Sequence, residues 1–196
     1  MASPSRADLY PDLELFELCR RGDQHAFRQL FETYKSRVYS FALRFLGDEA
    51  RAADLTQDIF VKLYSRLEDF RGDSRFETWL YRVVANACID EQRKRRRLVS
   101  WAFGEPSSDQ QLLQVTPRNV QEREVAGRQL SAAVQAAISK LTPALRVPIL
   151  LRYMEGLSYE EISEALKLSP GTVASRLNRA HKLLAKRLER FRVWQP

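Results

Sequence analysis

The chain has 196 residues, 44% of them hydrophobic, and a formal net charge of +7. That is apolar material for one medium or two small packed domains, which excludes a wholly disordered chain. The basic balance points to an acidic partner, either nucleic acid or an anionic membrane. No apolar run approaches the roughly 20 residues that span a bilayer. Met1–Asp12 also lacks the basic start and apolar stretch of a signal peptide, so a cytoplasmic protein is expected. Cys19, Cys88, His25 and His181 have no zinc-site spacing. No metal or cofactor is expected, and both thiols are read as reduced and buried.

Apolar residues recur with helical period throughout, and no segment alternates like a strand for long. The expected fold class is therefore all-α, with two small helical domains joined by a flexible linker. A first block spans 12–97. Its opening helices carry Leu13, Phe16, Leu30, Phe31, Tyr34, Val38, Phe41, Leu43 and Phe45. After Gly47-Asp48 a helix places Leu55, Ile59, Phe60, Leu63 and Leu67 inward and leaves Asp54, Gln57, Asp58 and Val61 outside. An acidic patch on a basic protein repels DNA and suits a basic protein partner. The loop Phe70-Arg71-Gly72-Asp73 then leads into another helix. Ser74 and Glu77 have capping-box spacing at its start. Phe76, Trp79, Leu80, Val83, Val84 and Ala87 form its buried stripe.

On the opposite face of that helix Arg75, Arg82, Asn86, Arg93 and Arg97 recur, and the basic run 93–97 is expected to end it. A basic face beside a loop carrying an aromatic suits a phosphate backbone with unstacked bases. The competing reading is an ordinary solvated charged face. Residues 98–119 hold Trp101, Phe103, two prolines and no sustained period, and are read as the linker.

The second block, 120–196, carries the sharpest local signal. Ser158 and Glu161 form a capping box for a short helix, and Lys167-Leu168-Ser169 makes a turn. Ser169 can cap a second helix with Pro170 at its first position. Ile162, Leu166, Leu168, Val173 and Leu177 face one core. Together these describe a helix-turn-helix. Pro170, Gly171, Thr172, Ser175, Arg176, Asn178 and Arg179 surround the start and outward side of the second helix, as major-groove reading requires. His181, Lys182, Lys186, Arg187, Arg190 and Arg192 suit phosphates. Lys167 stands in the turn where a positive φ favours glycine.

These residues together resemble the extracytoplasmic-function (ECF) subfamily of bacterial sigma factors. The most specific stretch is 70–82 with Asn86; 54–60 and 171–177 follow the same pattern in the same order. The resemblance covers about 13–191. It implies a sigma-2 domain in which Asp54, Gln57, Asp58 and Val61 meet the β′ coiled coil of RNA polymerase core. In that domain Phe70, Arg71, Gly72, Asp73, Ser74, Arg75, Arg82, Asn86 and Arg93 would read the −10 element around a flipped base. It implies a sigma-4 domain whose helix from Pro170 reads the −35 element. It also implies contacts with both large polymerase subunits, β and β′, and an anti-sigma factor as a further partner. Arg82 and Val83 stand where primary sigma factors place an aromatic pair, which implies stringency toward promoter sequence. Ala174 and Asn178 stand where relatives vary, so the −35 sequence does not transfer.

Two other readings compete with this one. A stand-alone helix-turn-helix regulator needs a ligand pocket or dimer face and leaves the basic Arg75–Arg97 face unexplained. A metal-dependent nuclease needs clustered carboxylates, and Asp54 and Asp58 have no third ligand beside them.

Overall fold

The computed structural model describes residues 13–67, 70, 75–103 and 122–189. Among them all regular structure is helical, in eight helices: α1 (Leu13–Arg20), α2 (Gln24–Leu46), α3 (Glu49–Arg66), α4 (Phe76–Phe103), α5 (Glu122–Ser139), α6 (Pro143–Tyr153), α7 (Tyr159–Leu166) and α8 (Pro170–Arg187). The all-α expectation holds, with α1–α4 in the first block and α5–α8 in the second.

Local chemistry sets the helix ends in the first block. The Asp23 carboxylate accepts from the His25 and Ala26 N–H groups at 2.8 and 3.0 Å and starts α2. These are two of the donors a helix N-terminus leaves without an internal partner. Gly47, at φ 70°, ends α2 and donates its N–H to the Leu43 carbonyl, a left-handed stop that suits glycine. Asp48 accepts from the Arg51 N–H at 3.1 Å and begins α3 at once. The two helices then pack as a hairpin around Leu30, Val38, Phe41, Leu55, Ile59 and Leu63, all buried.

Helix α4 closes this core by burying Phe76, Trp79, Leu80, Tyr81, Val84, Ala85 and Cys88. Both cysteines are buried, as expected. Burial pushes the Cys88 thiol up to about 12 and, helped by nearby Asp23, raises Cys19 as well. Neither is poised as a nucleophile.

One boundary differs from expectation. Helix α4 passes Arg97 and continues to Phe103, so the first six residues expected in the linker are helical. Like charges along the basic run weaken a helix by only tenths of a kcal/mol per pair. The first strong breaker after Arg97 is Gly104. Residues 104–121 lie outside the described residues, as do 68–69 and 71–74.

The second block is organised around Arg146 of α6, which is 3% exposed. Its guanidinium donates to the carbonyls of Ile138 at 3.1 Å and Leu141 at 2.8 Å, and to Ser139. A buried cation is costly unless its donors are used. Here they meet carbonyls that the end of α5 leaves over, at the negative end of that helix. The same side chain reaches the first block, donating to the Phe45 carbonyl at 2.6 Å and lying 4.9 Å from the Phe45 ring centroid. Gln135 donates to the neighbouring Arg44 carbonyl at 2.8 Å. Thus the two blocks are packed together, and the second caps the C-terminal end of α2.

Candidate functional site

The helix-turn-helix is present with the caps read from the sequence. Ser158 Oγ accepts from the Glu161 N–H at 3.1 Å, and the Glu161 carboxylate accepts from the Ser158 N–H at 2.8 Å. That backbone hydrogen bond, and secondarily the Arg75 guanidinium, hold the Glu161 carboxyl below its ordinary range against partial burial. Lys167 occupies the turn at φ 53°. Its N–H reaches the Glu164 carbonyl, and the Leu168 N–H reaches the Ser163 carbonyl, which is the Schellman pattern. Ser169 Oγ accepts from the Thr172 N–H at 3.2 Å, and Pro170 occupies the first turn of α8.

Helix α8 buries Val173, Leu177 and Ala180. Pro170, Gly171, Ser175, Asn178 and Arg179 are exposed, while Thr172, Ala174 and Arg176 are half-buried. The outward side predicted for base reading therefore exists. Beyond it His181, Lys182, Lys186 and Arg187 are exposed along the same helix. Arg187 turns back and donates to the Ala137 carbonyl at 3.2 Å, so that cation has a structural duty as well. His181 Nε2 and the Tyr153 hydroxyl share a hydrogen bond at 2.8 Å.

In the first block Asp54, Gln57, Asp58 and Val61 are exposed on one side of α3, Val61 at 65%. Sequence reading missed what lies beside them. A groove of about 970 Å³ runs between α2 and α3, lined by Phe27, Phe31, Tyr39, Phe60, Val61 and Tyr64 among others. Phe27 and Tyr64 meet edge to face with ring centroids 4.8 Å apart. An acidic edge beside an apolar trough with half-buried aromatics and an exposed Tyr64 is the composition of a protein-binding surface. The signal was there in Phe27 and Tyr64, which helical spacing brings to the α2–α3 seam once the two helices are paired.

The basic face of α4 is divided by the structure. Arg75 and Asn86 are exposed, Arg82 is half-buried, and Arg93 is exposed with an ion pair to Asp90 at 3.6 Å. Arg71, Gly72, Asp73 and Ser74, and with Ser74 the expected capping box of α4, lie outside the described residues. Phe70 corrects the expectation of an aromatic offered to bases. It is 4% exposed, its ring 5.6 Å from Phe76 and 5.4 Å from Trp79. Phe16 stacks on Phe76 at 4.1 Å and meets the Phe70 ring edge to face at 5.7 Å. A ring with neighbours on this scale gains more from burial than from a place in solvent. It anchors the base of the loop to the core.

Three further side-chain contacts join the first block to the second. Arg75 pairs with Glu161 at 3.1 Å. Glu155, in the turn after α6, pairs with Arg37 of α2 at 3.1 Å and accepts from the Tyr81 hydroxyl. Burial, and then that bond to the carboxylate, push the Tyr81 phenol far above its ordinary range, so it stays protonated and donates. Among the described residues no group of three His, Cys, Asp or Glu side chains is gathered for a metal. Nor is any helix long and apolar enough to cross a membrane.

Comparison with known proteins finds matches to both blocks. The family described as Sigma-70 region 2 matches residues 30–98, and Sigma-70, region 4 matches residues 131–184. The RNA polymerase sigma-H factor of Pseudomonas aeruginosa is 34% identical over 91% of this chain and 94% of its own length. The ECF RNA polymerase sigma factor SigW of Bacillus subtilis is 33% identical over 86% of this chain and 92% of its own. The ECF RNA polymerase sigma-E factor of Escherichia coli is 34% identical over 91% and 94%. Among solved structures, CnrH in complex with the cytosolic domain of CnrY superposes with a TM-score of 0.67 at 27% identity, covering 91% of this chain and 97% of that one. The sigma factor RpoE from Bartonella quintana, solved with the anti-sigma factor NepR, shares the fold with a TM-score of 0.65, covering 83% and 96%.

Proposed function

This chain belongs to the extracytoplasmic-function sigma factors, which direct RNA polymerase in transcription initiation, and from that premise we propose how its surfaces divide the work. Residues 12–97 act as the sigma-2 domain, 98–119 as the connection and 120–196 as the sigma-4 domain. Asp54, Gln57, Asp58 and Val61 with the neighbouring groove meet polymerase core. Arg71, Gly72, Asp73, Ser74 and Arg75, followed by Arg82, Asn86 and Arg93, read the −10 element, and Phe70 holds their loop in place. Thr172, Ser175, Arg176, Asn178 and Arg179 read the −35 element, with Pro170 and Gly171 at the helix start near the phosphates. The protein acts by binding alone, in the cytoplasm where the polymerase works, and the chemistry of RNA synthesis belongs to the polymerase. Since RpoE was solved with an anti-sigma factor, an anti-sigma factor is proposed as a partner of this chain too.

The observation that carries the division is the exposed outward side of α8 above a buried Val173–Leu177–Ala180 stripe. It lies on a domain separate from the acidic face of α3. Each domain makes a modest contact, and polymerase holds the two at a fixed separation, so the second contact becomes intramolecular. A stand-alone regulator uses only the second domain and leaves the match to residues 30–98 without a role.

The test is promoter-dependent transcription with two classes of variant. Asp58→Arg should abolish co-purification with core while leaving the fold intact. Arg176→Ala and Arg179→Ala should keep core binding and lose −35 discrimination. If both arginine variants transcribe as the parent does, the assignment of α8 is wrong.

A further inference from the structure

Tyr153 ends α6 with 65% of its surface exposed, and His181 is exposed on α8. The two rings are nevertheless joined. The hydroxyl and Nε2 share a hydrogen bond at 2.8 Å, and the rings meet edge to face with centroids 5.5 Å apart. The domain does not depend on this bond for its packing. Helices α6 and α8 already pack through Leu150, Leu151, Val173 and Leu177, all buried, and a hydrogen bond formed in water adds little to that. Neither side chain has another hydrogen bond among the described residues. A hydroxyl carries one proton and an uncharged imidazole carries one, and their shared bond uses only one of the two. If the hydroxyl donates to Nε2, the ring keeps its Nδ1–H. If Nε2 donates, the hydroxyl proton is left over. In both tautomers one donor stays unused.

The register of α8 shows what that donor faces. Successive helix residues turn by about 100°. With Val173, Leu177 and Ala180 inward, Ser175 and Lys182 lie on the opposite side. Arg176, Arg179 and Lys186 fall to one flank of that line, and Ala174, Asn178, His181 and Ala185 fall to the other. The second flank therefore carries no lysine or arginine of α8. A major groove about 12 Å wide is filled by a helix about 10–12 Å across, so each flank of a docked helix faces one phosphate strand. The first flank meets its strand with cations. The second has two alanines, Asn178 and the ring pair. Arg152, the neighbour of Tyr153, is already occupied. It donates to the Leu157 carbonyl at 2.9 Å and lies 5.6 Å from the Tyr159 ring centroid. We propose that Tyr153 and His181 together form a phosphate clamp, which holds the DNA strand on the cation-free flank of α8. Its ligand is the sugar–phosphate backbone, so it fixes the seat of α8 in the groove without reading bases. The clamp rests on the −35 assignment above and brings α6 into that contact.

The experiment measures binding of the holoenzyme, core with this chain, to promoter duplexes in which single phosphates around the −35 element are replaced by methylphosphonate. That exchange removes the charge and an acceptor oxygen at one place on the backbone. The parent should lose affinity along a short stretch of one strand. Tyr153→Phe, which deletes only the hydroxyl, and His181→Ala should each weaken binding to the unmodified duplex roughly threefold to tenfold. The loss should be the same for every −35 sequence, and neither variant should respond to methylphosphonate along that stretch. Arg179→Ala, run in parallel, should change the sequence preference and keep the response. Variants at Tyr153 and His181 that bind as the parent does overturn the clamp. So does a weakened variant that still responds at every position, which is the behaviour of a bond that merely ties α6 to α8. A loss that varies with the −35 bases overturns the assignment to the backbone. If Arg179→Ala is silent as well, the −35 assignment has failed and the clamp falls with it, whereas silence confined to Tyr153 and His181 strikes the clamp alone.

Discussion

Helices α7 and α8 are delimited by side chains lying within three residues of their targets: Ser158 with Glu161, and Ser169 with Thr172. Helix α4 is positioned differently. Its first turn is fixed by rings from distant parts of the chain, with Phe16 from α1 and Phe70 from the preceding loop meeting Phe76 and Trp79. The proposed −35 reader therefore rests on local chemistry, whereas the proposed −10 side rests on tertiary packing. A locally specified helix tolerates changes elsewhere in the domain, but the packed one fails as a unit when a ring is lost.

Substitutions that strike one region at a time test this contrast. The largest effect is expected at the ring cluster. Phe76→Ala should destabilise the first domain by about 3–5 kcal/mol, read by chemical denaturation, and should disable −10 recognition along with stability. Next comes the reading face of α8. Arg179→Ala should weaken −35-dependent promoter binding by about 1–3 kcal/mol if it pairs with a guanine edge, with no change in melting temperature. Ser158→Ala should cost about 1 kcal/mol in the second domain through the lost cap, and gel-shift assays should report the same base preferences.

The capping box also carries a pH signature. The Glu161 carboxyl is lowered in the folded state by the Ser158 N–H and then by Arg75. Its stabilisation is therefore present above the unfolded glutamate value of about 4.3 and is lost as pH falls through the lower folded value. Glu161→Gln should remove that acid-range dependence from the thermal melts. The smallest effect is a gain. Lys167→Gly should stabilise the helix-turn-helix by under about 1 kcal/mol, since glycine takes φ 53° without strain. A loss there would mean that the lysine stem packs in a way its exposure does not suggest.

The same contrast explains what the sequence made legible. The caps at Ser158 and Ser169, the proline start of α8 and the strained turn at Lys167 depend on neighbours in the chain, so reading along the chain found them. The inward stripes of α2, α3 and α4 followed from period alone. Phe70 was misplaced because an aromatic in a polar loop reads as exposed until Phe16 is brought back from some fifty positions earlier. Helix α4 outruns the basic run expected to end it, because like charges are weak stops and no breaker lies between Arg97 and Gly104. Arg37, Tyr81 and Glu155 meet across 74 and 118 positions, and nothing local in their surroundings marks them. Likewise the α2–α3 groove required two helices to be paired before its aromatics formed one surface.

The central claim is that this chain gives polymerase core a promoter specificity that neither has alone. Run-off transcription on genomic fragments, with core alone, the protein alone and both together, tests it most directly. The account predicts discrete start sites only when both are present, each preceded by a shared pair of sequence elements. Binding of specific DNA by the protein alone, with no gain in initiation when core is added, would contradict it.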